Sequence, residues 1–299
     1  MANNKIVELE NRQTHINQLK AARHIYTKAG RYSVWYMFLC VFIPVGISIG
    51  RFFVSTDAHF FINTLAAYSV FALIIGFILD SMASKCRSQA ARIQQLFDIE
   101  VFELEWNFHL WGTKPSLENI SDNIGDLSDD SFHNWYDSQI DALSRMDAIF
   151  ICQRTNLVYD TKLRKRFNYI VSTVAIVVLL LILSVSFYRN EGIQTAIVFI
   201  GVPLVPIIKW FFSTRKQNLD DIELCESLKS FIDNNLEKSK KNHRSINDSA
   251  LYLIQDRIYI HRKTAFKIPD FLYNIMRKDQ EESVRMMVNH LSHKKENIS

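Results

Sequence analysis

The stretch IVSTVAIVVLLLILSVSF, from Ile170 to Phe187, contains 18 residues and no charged side chain. An uncharged helix of this length spans a bilayer, whereas helices of globular proteins rarely stay uncharged for so long. Four basic residues precede it directly: Lys162, Arg164, Lys165 and Arg166. After a five-residue link, 188–192, the chain is apolar again from Ile193 to Phe212. The pattern predicts a membrane hairpin of two helices; the alternative, a buried hairpin of a soluble protein, is much less favoured.

A second pair of apolar stretches lies earlier in the chain, at Tyr32–Ile49 and Phe60–Leu79. Pro44 in the first stretch predicts a kink. The second stretch carries small residues at helical spacing: Ser69, Ala72 and Gly76. Such a stripe is typical of a helix–helix contact in a membrane. These two stretches predict a first hairpin and bring the number of spans to four.

The basic residues near the span ends predict the orientation. The links inside the two hairpins carry only Arg51 and Arg189, whereas the other flanks are rich in Lys and Arg. Because positive residues stay on the cytoplasmic side, both termini and the long middle segment are predicted to be cytoplasmic. An even number of spans, two plus two, agrees with this placement.

The predicted fold class is an all-α membrane protein with four transmembrane helices in two hairpins. Its segments are a cytoplasmic N-terminal helix (1–30), hairpin 1 (31–80), a cytoplasmic helical insert (81–168), hairpin 2 (169–213) and a cytoplasmic helical tail (214–299). No convincing strand-period pattern occurs. The three polar segments are predicted to form one helical cytoplasmic domain.

Apolar spacing also predicts individual helices in the polar segments. An amphipathic helix is expected over residues 5–29, and the second span is expected to continue into a cytoplasmic helix through Val101. Residues 112–130 are polar and acidic, which is typical of a loop. A helical pattern then resumes over 131–166 and leads into the third span.

Several classes of function are excluded or disfavoured. The formal net charge of +4 is too small to indicate a nucleic-acid polymer as partner. The four cysteines show no zinc-site spacing and are interpreted as free thiols, and His290 and His293 lack an obvious third ligand. No catalytic or nucleotide-binding motif is found, so we expect neither an enzyme nor a cofactor or metal.

The interiors of the spans carry no charge, which argues against an ion-coupled transporter. Thr173 and Ser184 are about three helical turns apart and share a face. Together with Thr195 or Ser69 they could form a weakly polar pore wall. The alternative, ordinary hydrogen bonding between helices, is favoured from the spans alone.

One cytoplasmic region combines residues suited to a nucleotide ligand. Trp135 or Tyr136 can stack on a base, Arg154 and Arg164 can hold phosphate, and Asn156 can read a base edge. The alternative, an ordinary amphipathic helical bundle, is favoured when these residues are considered alone.

Four phrases are similar to the SMODS-associated four-transmembrane family of effectors, a family connected with pore formation. They are FDIEVF at 97–102 with the following Trp106-Asn107, CQRTN at 152–156, the segment 254–262, and IPDFLY at 268–273. They occur in the family's order between spans arranged two plus two, so the resemblance covers nearly the whole chain. Phe271 departs from the Trp that usually follows the Pro-Asp pair.

The resemblance implies a bacterial antiphage effector in the inner membrane. Such an effector would sense a cyclic oligonucleotide in its cytoplasmic part, assemble as a homo-oligomer or open, and permeabilise the bilayer. Two other classes stay open: a constitutive small channel or transporter, and a non-conducting membrane scaffold.

Overall fold

The computed structural model describes residues 4–50, 58–188, 202–242, 248–266 and 268. Every regular element within these residues is a helix, as the sequence predicts. The α-helices are α1 (Ile6–Glu10), α2 (Gln13–Met37), α3 (Ile43–Gly50), α4 (Ala58–Val101), α5 (Phe108–Trp111), α6 (Leu117–Ser121), α7 (Arg145–Tyr188), α8 (Val202–Asn242) and α9 (Asp248–Thr264). A π-helical turn, Phe38–Phe42, joins α2 to α3, and 3-10 turns cover Asp129–Ser131 and Ser138–Ala142.

Three helices are far longer than a membrane is thick. The helices α4 and α7 contain 44 residues each and α8 contains 41. At about 1.5 Å per residue they measure roughly 60–66 Å, twice the hydrocarbon core of about 30 Å. The predicted segment boundaries after residues 30, 80, 168 and 213 all lie inside helices. The apolar and polar parts of the molecule therefore share the same helices, and the predicted continuation of the second span through Val101 is confirmed.

The first apolar stretch is irregular in its middle. The π-helical turn Phe38–Phe42 stands just before Pro44, whose ring has no N–H to donate to the preceding turn. This turn packs on α4, where Tyr68 donates to the carbonyl of Leu39 at 2.6 Å. A Cβ added to Gly76 would lie 2.9 Å from the Sγ of Cys40. The predicted close contact is therefore confirmed at Gly76, where an added side chain would force the side chains of Cys40 and Tyr36 to move.

The N-terminal amphipathic helix is interrupted, contrary to the single helix expected over 5–29. The break lies at Asn11 and Arg12, between α1 and α2. The side chain of Asn11 donates to the carbonyl of Val7 at 2.8 Å and accepts from the N–H of Asn134 at 3.0 Å. Asn side chains compete in this way with helical backbone bonds, and here the competition ties the chain start to a distant loop.

The helix expected over 131–166 begins only at Arg145, so the prediction was wrong for residues 131–144. Side chains stop the helix locally: Asp137 accepts from the N–H of Gln139 at 2.9 Å and starts a 3-10 turn. Asn134 adopts a φ of 51°, in the left-handed region that ends helices. From Arg145 onward, no Gly or Pro interrupts α7 before Tyr188.

The long helices pack in two pairs, and α9 joins them. The helix α2 lies along α4, α7 lies along α8, and α9 contacts both α4 and α7. The main core cluster draws on both pairs and on α9; its largest fully buried members include Ile16, Phe97, Phe102, Phe150, Ile232, Leu251 and Ile254. Burial of this apolar surface holds the two pairs together.

Glu10 is buried at the edge of this core. Its Oε2 accepts from the N–H of Tyr136 at 3.0 Å. Burial, with a smaller contribution from the nearby carboxylate of Asp141, raises the pKa of Glu10 to about 8 against the lowering effect of the Tyr136 hydrogen bond. Folding therefore favours the protonated form of this carboxyl group.

The apolar ends of the long helices expose large side chains. They include Trp35, Phe38, Phe71, Leu73, Phe77, Val174, Ile176, Leu180, Ile208 and Phe212. Exposed apolar surface of this extent is typical of contact with lipid or protein. Among the described residues one helical stretch, Ala66–Val101, meets the length and hydropathy of a membrane span. The four-span topology stays a prediction, and most of the fourth span's first half lies outside the described residues.

Candidate functional site

A cavity of about 670 Å³ lies where α2, α4, α7 and α9 meet the loop at 127–135. Its basic lining residues are Arg23, Arg87, His133, Arg164, His261 and Arg262. Among the described lining residues Asp160 supplies the single carboxylate. Pockets for small ligands have this size, and the excess of guanidinium groups suits an anionic ligand.

A buried charge cluster forms one wall of the cavity. Asp160 and Arg164 lie one turn apart on α7, and Nε of Arg164 donates to Oδ2 of Asp160 at 2.6 Å. From α8, Asp221 lies 2.9 Å from Nη1 of Arg164, and Asn218 accepts from the same nitrogen at 2.8 Å. From α9, His261 places Nε2 2.6 Å from Asp160 and Nδ1 3.3 Å from Asp221. Five side chains thus hold three helices in register.

The protonation of this cluster follows from its pairing. Burial alone would lower the pKa of His261, but its bonds to Asp160 and Asp221 raise that pKa to about 11. Burial alone would raise the pKa of Asp160, but the charges of Arg164 and His261 hold it below its ordinary value. Two cations and two carboxylates therefore balance at neutral pH.

A second polar network lies beneath the cavity and centres on Asp98 of α4. Asp98 accepts from Arg262 and, at 2.8 Å, from Gln255, both on α9. Gln255 also donates to Gln95 at 2.9 Å and accepts from Gln153 of α7 at 3.0 Å. These side chains are almost fully buried apart from Arg262, so the network fixes the position of α9 against both helix pairs.

Comparison with known proteins shows what this arrangement belongs to. A family model described as the SMODS-associating 4TM effector domain matches residues 4–291. The chain belongs to this family of 4TM effector domains. A relative from Bacillus cereus (strain VD146), named a probable CBASS effector molecule, is 26% identical over 290 residues, which cover 95% of this chain and 97% of the relative. No solved structure matches the chain. The resemblance found in the sequence is therefore confirmed.

In this 4TM effector, three of the five predicted ligand residues line the cavity: Trp135, Asn156 and Arg164. Tyr136 is buried behind them, where its hydroxyl accepts from Asn156 at 3.2 Å. Arg154 lies outside the lining, and its Nε donates to Asp233 of α8 at 2.6 Å. The structure thus assembles part of the predicted set, and the ligand roles themselves stay predictions.

Sequence reasoning did not select Arg23 and Arg87 as ligand residues, although both line the cavity. It counted them only as basic flanks of the first two spans. The Nε of Arg87 is buried and has no hydrogen-bond partner among the described residues. A buried guanidinium nitrogen facing a cavity is available to a phosphate oxygen. Arg23 and Arg87 lie on α2 and α4 close to residues that are apolar and buried. This neighbourhood is the sequence signal that could have revealed that the two arginines face the interior.

The predicted pore-lining residues are dispersed over the apolar ends of the effector. Thr173 and Ser184 on α7 are exposed, and their hydroxyls donate to the carbonyls of Tyr169 and Leu180 at 3.0 and 2.8 Å. Ser69 on α4 is also exposed, and Thr195 lies outside the described residues. Their role in a pore stays a prediction.

Proposed function

We propose that this 4TM effector acts in bacterial antiphage defence as a CBASS effector. In this proposal it binds a cyclic oligonucleotide in the cavity, assembles or opens, and permeabilises the inner membrane. Membership of the effector family and similarity to a named CBASS effector support the defence role. The proposal assigns no catalytic step to the chain.

The basic cavity is the observation that carries the choice of ligand. Its lining contains four arginines against the single carboxylate of the described lining. Arg164 and Arg262 are already paired with Asp160 and Asp98, so their charges are partly neutralised. Of the other two arginines, Arg87 has a buried Nε without a hydrogen-bond partner among the described residues, so we take it as the strongest candidate to hold phosphate, with Trp135 as the stacking surface for a base.

The same helices connect the cavity to the apolar ends. Arg164 and Asn156 lie on α7, which continues without a break to Tyr188, and Arg87 lies on α4. A ligand that contacts both α4 and α7 shifts the equilibrium toward the arrangement of these helices that it binds more tightly. Because four helices cannot enclose a wide aqueous path alone, we infer that conduction requires several copies, with Thr173, Ser184 and Ser69 facing a neighbouring copy or the path.

The decisive experiment is a binding titration of the purified protein against a panel of cyclic di- and trinucleotides. Replacing Arg87 by Ala removes charge-assisted bonds of about 1.5–3 kcal/mol, which weakens binding roughly ten- to a hundredfold. The matched control is Arg92→Ala, because Arg92 is on the same helix but not in the lining. If no cyclic nucleotide binds the wild-type protein, or if Arg87→Ala binds as well as Arg92→Ala, this assignment of the site is wrong.

The proposed orientation places both termini in the cytoplasm. Single cysteines introduced at Asp57 or Asn190 should react with an impermeant reagent from the periplasmic side, whereas a cysteine at Asn123 should not. Labelling of Asn123→Cys from outside would reverse the orientation. Toxicity on overexpression in cells that lack the nucleotide would instead favour the constitutive channel.

A further inference from the structure

Three helices bring a set of metal-ligating atoms together at the cavity wall. Asp160 comes from α7, Cys225 from α8 and His261 from α9. The Sγ of Cys225 lies 3.7 Å from Nε2 of His261 and 3.8 Å from Oδ2 of Asp160. The two ligand atoms Nε2 and Oδ2 are themselves 2.6 Å apart. One carboxylate, one thiol and one imidazole therefore converge on one point.

These separations approach those of a tetrahedral zinc site. With Zn–S near 2.3 Å and Zn–N or Zn–O near 2.0–2.1 Å, the sulfur must lie about 3.5 Å from each of the other ligands. The observed distances exceed this by about 0.2–0.3 Å. The nitrogen and oxygen would have to separate by about 0.7 Å, to roughly 3.3 Å, through rotation of the Asp160 side chain.

The surroundings of the histidine fit a metal ligand. Zinc-bound histidines carry the metal on one ring nitrogen and donate from the other to a carboxylate, which fixes the ring. Here Nε2 faces the other two ligand atoms, whereas Nδ1 lies 3.3 Å from Oδ1 of Asp221. Asp221 is held in turn by Arg164. The outer carboxylate is thus already in place.

We propose that Asp160, Cys225 and His261 bind one divalent transition-metal ion of the zinc class, with Asp221 orienting the histidine. This goes beyond the proposed sensing function and does not depend on it. Binding of the ion releases the protons on Nε2 of His261 and Sγ of Cys225. Because one dication replaces two protons, the net charge of the cluster does not change. Asp160 and His261 line the cavity, so the fourth coordination position opens toward it. Asp160 keeps 29% of its side chain exposed, which gives the ion a path of entry.

The test uses the full-length protein in detergent, treated with a chelator and then titrated with Co²⁺ and Zn²⁺. We expect one Co²⁺ per chain, with a thiolate-to-cobalt charge-transfer band and the intense visible bands of a tetrahedral site, and displacement of Co²⁺ by Zn²⁺. Cys225→Ser should lose the charge-transfer band. Asp221→Asn should keep it but weaken metal binding about 10- to 100-fold.

Cys152→Ser is the matched control, because Cys152 is also a buried thiol but lies outside the cluster. It should bind Co²⁺ as the wild type does. Circular dichroism and gel filtration identify any variant that fails to fold. If Cys225→Ser is such a variant, the test of the metal site rests on Asp221→Asn, which keeps all three ligands. Absence of the charge-transfer band in the wild type, or its survival in Cys225→Ser, overturns the proposal.

Discussion

Replacing Arg164 by Met tests whether the charge cluster holds the three helices together. The side chain of Arg164 is 4% exposed and pairs with Asp160 and Asp221, which are 29% and 12% exposed. The substitution keeps much of the apolar stem but leaves two carboxylates without their guanidinium. Breaking a buried pair from one side costs about 3–5 kcal/mol, because the remaining charge stays desolvated.

Arg154→Met is the matched control on the same helix. The side chain of Arg154 is 14% exposed, but that of its partner Asp233 is 43% exposed, so water can take the place of the lost guanidinium around this carboxylate. A pair of this kind contributes about 0.2–1 kcal/mol. The structure therefore predicts a several-fold difference in free energy between two Arg→Met changes ten residues apart.

The assay is thermal unfolding of the chelator-treated protein in detergent. At roughly 2–4 °C per kcal/mol, Arg164→Met should lower the midpoint by about 6–20 °C and Arg154→Met by no more than about 4 °C. Adding Asp221→Asn to Arg164→Met should restore part of the loss, because it removes one uncompensated charge. Equal midpoints for the two single variants would refute the reasoning.

Three further predictions address other parts of the molecule. Folding raises the pKa of Glu10, so the contribution of Glu10 to stability should be fully present below about pH 4.5 and be lost as the pH rises through 8. Across this range the unfolding midpoint of the wild type should fall relative to that of Glu10→Gln. Gly76→Val should cost about 1–3 kcal/mol in thermal unfolding by overpacking, while Gly46→Ala, which meets nothing within 4 Å, should cost less; equal costs would contradict the close contact. Two glycines inserted after Lys165 should leave nucleotide binding intact but abolish ligand-triggered dye leakage from cells; leakage at the normal ligand dose would show that α7 need not be continuous.

Local sequence was sufficient to predict the long helices. The 18 uncharged residues from Ile170 to Phe187 and the periodic apolar residues up to Val101 have one regular interpretation, and the structure extends both stretches into polar helices. The failure at 131–144 has a local cause. The carboxylate of Asp137 and the left-handed backbone of Asn134 outweigh an apolar spacing that was compatible with a helix.

The cavity could be predicted only in part, because its walls come from distant positions. Arg154 and Arg164 are ten residues apart, which turns their side chains about 80° away from each other around α7. Arg154 therefore faces Asp233 and Arg164 faces the cavity. Which of the two arginines lines the cavity depends on the packing of α8 and α9. No spacing rule links Asp160 to Cys225 and His261, since they meet only in the tertiary fold.

The position of α9 late in the chain has a consequence for synthesis. Arg262 lies 164 residues after its partner Asp98, so at about 5–20 residues per second it leaves the ribosome roughly 8–33 s later. During that interval the carboxylate of Asp98 cannot be paired as it is in the finished core. The helices α2 and α4 are thus made before this carboxylate has its partner, and the cavity is complete only after α9 has been made. The apolar stretches of α2, α4 and α7 are therefore synthesised well before the cavity is complete, and α9 determines when its wall closes.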